Sequence, residues 1–81
     1  MEQQSPFSNY LDLRGTPCPL NFIRCNLAIE ALNNNESIEV KVDKGEPQEM
    51  IINGLSKKGH EIKIISENDN FITLLINRFV G

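Results

Sequence analysis

The chain has 81 residues and a mass of 9.2 kDa, which excludes a second folded unit and allows one thin hydrophobic core. With 40% hydrophobic and 23% charged residues, 4 Pro and 5 Gly, it is neither disordered nor collagen-like. Eight Lys plus Arg against 11 Asp plus Glu give a net charge of −3. A nucleic-acid binder needs a basic face, and the densest basic run here is Lys57-Lys58, so direct RNA or DNA binding is disfavoured.

Residues 1–9 are polar, lack periodicity and include Pro6; they read as a flexible leader to a single domain over 10–81. They hold no basic segment followed by an apolar run, and no stretch nears the ~20 apolar residues of a membrane span. A soluble, cytoplasmic protein is expected. Tyr10 to Arg14 alternates with Leu11 and Leu13 on one side, predicting a half-buried strand that Gly15 ends. From about Pro19 to Asn33 the spacing is helical, and Asn33-Asn34-Asn35 supplies a stop. Ser37 to Asp43 alternates again around Ile38, Val40 and Val42.

A second helix follows, with Pro47 in its first turn, Glu46 and Glu49 at its positive end, Lys57 and Lys58 in its last turn and Gly59 at its cap. Ile51, Ile52 and Leu55 face inward, and Gly54 weakens its middle by about 1 kcal/mol. His60 to Ser66 and Phe71 to Phe79 form a hairpin around Glu67-Asn68-Asp69-Asn70. The order βαβαββ predicts a two-layer α/β sandwich, with two helices on one face of a four-stranded mixed sheet. The chain is too short for a doubly wound dinucleotide fold and lacks Gly-x-Gly-x-x-Gly.

Chemistry concentrates in Arg14-Gly15-Thr16-Pro17-Cys18-Pro19. Pro19 at the first helical position makes Cys18 the N-cap, where unpaired backbone N–H groups and the helix dipole favour a thiolate, the nucleophilic form. Pro17 and Pro19 stiffen the backbone around an exposed tip. On the residues alone this reading stands beside a plainer one, in which Cys18 is a small buried hydrophobe at a helix start. Cys25 shares a helical stripe with Phe22, Ile29 and Leu32 and reads as a core thiol. Seven residues of helix rise about 10 Å, beyond the ~7 Å a disulfide spans, so the two cysteines do not form a bridge. With no Cys-x-x-Cys pair and His60 as the single histidine, no metal site is expected.

Leu11-Asp12-Leu13-Arg14-Gly15 followed by Cys18-Pro19 resembles the opening signature of the TusA/SirA-like sulfur carrier proteins, and Gly59-His60-Glu61 resembles a later landmark of that family. The likeness covers roughly residues 10–79. It implies a βαβαββ sandwich in which Cys18 accepts sulfane sulfur as a persulfide from a cysteine desulfurase or rhodanese-like donor and passes it to a downstream acceptor. No cofactor of its own is implied, since pyridoxal phosphate belongs to the donor. Whether such a relay serves tRNA thiolation, molybdenum-cofactor sulfuration or selenium chemistry is left open. The family motif is Cys-Pro-x-Pro, whereas this chain reads Cys18-Pro19-Leu20-Asn21. Asn21 brings a backbone N–H that proline lacks, either a donor near the sulfur or a change in how the first turn ends. Arg14 is a candidate for adding positive charge beside it.

On a helical wheel Leu20, Ile23 and Leu27 form a second apolar stripe, opposite the one that carries Cys25. A sandwich helix buries one stripe fully, and the family likeness implies that the Cys25 side is core. That leaves Leu20, Ile23 and Leu27 exposed to dock a sulfur donor or acceptor. The alternative is a curved sheet that buries both stripes. Two other function classes compete with the carrier. One is a non-catalytic regulatory or protein-interaction module that uses the apolar strip alone; the other is an RNA binder resembling translation factors, which the net charge opposes.

Overall fold

The computed structural model describes residues 9–17 and 19–79. Its elements follow the expected order: β1 (Tyr10–Asp12), α1 (Leu20–Glu30), β2 (Ser37–Asp43), α2 (Glu46–Lys57), β3 (Glu61–Glu67) and β4 (Phe71–Asn77). The sheet runs β1-β2-β4-β3, with β1 parallel to β2 and the other pairs antiparallel. It is the four-stranded mixed sheet expected, and the last strand of the chain is inserted between β2 and β3.

Both helices close one core against one sheet face. Leu13, Cys25, Ile29 and Leu32 from the first crossover meet Ile51 and Leu55 of α2 over Ile38, Val40, Val42, Ile72, Leu74 and Ile76. Each large aliphatic side chain buried this way contributes about 1.5–3 kcal/mol, so the dozen residues of this cluster are what the fold depends on. Phe22 packs against Gly54, where an added Cβ would lie 2.4 Å from Phe22 Cε1. The glycine read as a weak point of α2 is therefore the place where α1 makes its close approach.

Several boundaries move for local reasons. β1 stops at Asp12, two residues early: the last bond to β2 is from the Leu13 N–H, and the Arg14 N–H, on the outer side of this edge strand, donates to Asp12 Oδ1 at 3.1 Å. Asn9, assigned to the leader, belongs to the domain: its Nδ2 donates to Ser37 O and Glu36 Oε2 at 3.1 and 3.2 Å. The remaining leader residues, 1–8, lie outside the described residues. α1 ends near Ala31, where Asn35 at φ 69° and Glu36 build a turn, the Asn33 N–H donating to Glu36 Oε1 at 2.7 Å. β3 begins at Glu61 and shifts register between Ile64 and Ser66, leaving Ile65 as an extra residue against β4. β4 ends at Asn77, short of the expected Phe79.

Candidate functional site at the start of α1

Parallel pairing brings the ends of β1 and β2 together, and the segment leaving β1 is fastened there. Leu13 is buried and its N–H donates to Lys41 O at 2.8 Å. The Thr16 N–H then turns back to Leu13 O at 3.0 Å. Gly15 takes φ +77°, a conformation that strains any residue with a side chain, and its N–H donates to Asp43 Oδ2 at 2.8 Å. Asp43, at the end of β2, is a positioning residue that the sequence reading missed. Its signal was the parallel pairing implied by a βαβ unit.

Cys18 itself lies outside the described residues, so its expected N-cap role rests on its neighbours. The helix starts one residue later than predicted, with Pro19 at the cap position at φ −94° and ψ 9° and no side-chain cap hydrogen bond. The Asn21 N–H donates to Pro17 O at 3.0 Å and the Ile23 N–H to Pro19 O at 3.1 Å. The Phe22 N–H donates to Asn21 Oδ1 at 2.6 Å. The backbone donor expected from Asn21 is thus engaged in the turn, and fewer first-turn amides stand open than the sequence suggested. α1 carries no acidic residue in its first turn, so no side chain there opposes the positive end of the helix.

Arg14 is less available than expected. Its Nε and Nη2 donate to the two Asp12 oxygens at 2.9 and 2.7 Å, and its guanidinium lies 4.6 Å from the Phe71 ring centre. The hydrogen-bonded guanidinium holds the Asp12 carboxyl below its ordinary value, and Asp12 in turn raises Arg14. Leu20, Ile23 and Leu27 are 45%, 48% and 60% exposed, forming the open strip expected along α1. Cys25 is fully buried, and desolvation pushes its thiol up to about 12. Burial thus favours the neutral thiol over the nucleophilic thiolate.

Elsewhere, Lys41 lies 5.8 and 5.6 Å from the Tyr10 and Phe71 ring centres. Far from α1, a shallow depression of about 180 Å³ is lined by Ser37, Glu61, Lys63, Leu75 and Asn77. Among the described residues no cluster of His, Cys, Asp and Glu is arranged to hold a metal ion, and no helix is long and apolar enough to cross a membrane.

Residues 9–78 match the family model described as "Sulfurtransferase TusA". The chain belongs to the TusA family. The match takes in both the Gly15 turn and all of α1. Among solved structures, the TusA-family chain is similar to the SirA-like protein from Desulfitobacterium hafniense, at 19% identity and a TM-score of 0.73. That alignment covers 88% of this chain and 97% of the other, and at this identity it establishes the shared fold. No curated protein matches the chain.

Proposed function

We propose that this protein is a sulfur carrier that accepts sulfane sulfur as a persulfide on Cys18 and relays it to a downstream acceptor protein. The observation that carries the proposal is the family match over residues 9–78, which spans the Cys18-Pro19 junction at the head of α1. The Cys18 thiolate attacks the outer sulfur of a persulfide on a cysteine desulfurase or rhodanese-like donor. The donor's S–S bond breaks, its electron pair leaves on the donor thiolate, and Cys18 retains the extra sulfur. Attack by an acceptor nucleophile on that sulfur restores the thiolate.

The local chemistry supports this reading. A persulfide is more acidic than a thiol, and a first turn free of carboxylates suits an anion. Pro19, Gly15 and Asn21 shape the approach to Cys18, while the charge of Arg14 is taken up by Asp12. The exposed Leu20, Ile23 and Leu27 offer apolar area for a partner that must bring its own sulfur close. The proposed setting is the cytoplasm, where thiols stay reduced.

Incubation with a cysteine desulfurase and cysteine, followed by intact mass with and without reductant, tests the proposal. A reducible gain of one sulfur is expected, lost in Cys18→Ser and kept in Cys25→Ala. No gain with several donors would overturn it. A second reading, an interaction module with an inert Cys18, is favoured by the strip alone and predicts partner binding that Cys18→Ser leaves intact.

A further inference from the structure

Asn21 stands three residues after Cys18 and is fully buried, at 0% exposure. Its carboxamide is held in place by the 2.6 Å bond from the Phe22 N–H to Oδ1, while its own backbone N–H is fixed on Pro17 O. First-turn N–H bonds point out of the N-terminal end of a helix. The oxygen that accepts one of them therefore sits at that mouth, and the carboxamide lies across it. Nδ2, on the same carbon as Oδ1, is buried there and has no hydrogen-bond partner among the described residues. Flipping the amide would set two N–H donors against each other, so the nitrogen is correctly assigned. A buried donor left unmatched costs about 1–3 kcal/mol. Packing gives no reason to keep such a donor; a ligand that accepts a hydrogen bond does.

We propose that Asn21 is a positioning residue whose Nδ2–H donates to the anionic sulfur carried by Cys18, thiolate or persulfide, and holds it at the mouth of α1. The inference rests on the proposed role of Cys18. The backbone N–H groups of Asn21, Phe22 and Ile23 already have acceptors, and Arg14 is paired with Asp12. The side-chain amide is thus a donor that the turn still has to offer. A hydrogen bond to the charged form of a thiol lowers its pKa.

The test is the alkylation rate of Cys18 by iodoacetamide as a function of pH, followed by peptide mass in the wild type, Asn21→Ala and Asn21→Asp. No sulfur donor is involved, so the result is independent of whether the protein accepts a persulfide. Asn21→Ala is expected to raise the midpoint of the Cys18 profile by about half to one unit, which slows alkylation roughly three- to tenfold below both midpoints. Asn21→Asp keeps an oxygen for the Phe22 N–H and places a second oxygen where Nδ2 was, so its midpoint rises further. A carboxylate repels a nearby thiolate whatever the amide does, so the decision rests on the uncharged variant. A midpoint unchanged in Asn21→Ala would overturn the proposal. If Asn21→Ala does not fold, the near-isosteric Asn21→Leu, which has neither donor nor charge, decides by the same criterion.

Discussion

Gly54 carries a stability prediction that helix propensity gets wrong. Gly54→Ala should gain about 1 kcal/mol of propensity in α2, but its Cβ would enter the space of the Phe22 ring. Overpacking of this kind costs about 1–3 kcal/mol, so a net loss is expected in urea unfolding. Adding Phe22→Leu should recover part of it, which separates a clash from a generic helix defect. His60 gives a second prediction, in pH. The Phe79 N–H donates to its Nδ1 at 3.1 Å, and burial, then Lys58 and Arg78, lower its pKa below 6.5. The unfolded chain therefore takes up the proton first. Stability should be constant above about pH 6.5 and fall as the pH drops through that value toward the lower folded pKa. Melting temperatures from about pH 7.5 to about pH 5 check this, and His60→Gln should flatten the slope across that window.

At the scale of elements, the two stripes of α1 have opposite fates, one buried in the core and the other open for the proposed docking. Ile23→Glu and Leu27→Lys alter side chains that are 48% and 60% exposed. Each should shift stability by no more than about 0.5 kcal/mol, yet together they should slow sulfur transfer from a desulfurase at least tenfold. Unchanged transfer would remove the strip as a docking surface. The same helix shows how far sequence reading reaches. Cys25 and Ile29 were legible as core, and Leu20, Ile23 and Leu27 as open, because a 100° wheel separates two apolar stripes and the family likeness says which one faces the sheet. The burial of Asn21 was not legible, since its polar side chain gives no hint that the first turn folds over it. Nor was the pairing of Arg14 with Asp12: two residues on the outer side of a predicted edge strand become a closed ion pair once the ladder ends between them.

For the whole molecule, the alternation in β2 and the punctuation of α2 by Pro47 and Gly59 made the βαβαββ order readable. The order β1-β2-β4-β3 was not, because neighbour relations across a sheet depend on which apolar face is covered, and no single strand encodes that. The Glu36 turn illustrates such long-range assembly. Its carboxylate joins Asn33 and Asn9, while the Arg78 N–H donates to Glu36 O at 2.9 Å. Glu36→Ala should therefore speed amide exchange at Asn33 while the β2 and β4 amides between Val40 and Leu74 remain protected, measurable by native-state hydrogen exchange.

The misfit of Ile65 along β3 has a bearing on how copies of the protein meet. β3 is an outer strand, and Ile64 and Ile65 are 56% and 47% exposed on it, the kind of border that zips identical chains into ribbons. The extra residue bends that border, and joining two copies antiparallel about Ile64 would set Glu61 against the other copy's Glu67. Excising Ile65 should straighten the border and bring on light scattering in concentrated solution. A carrier of the kind proposed, visiting one partner after another, would depend on staying unattached to its own kind.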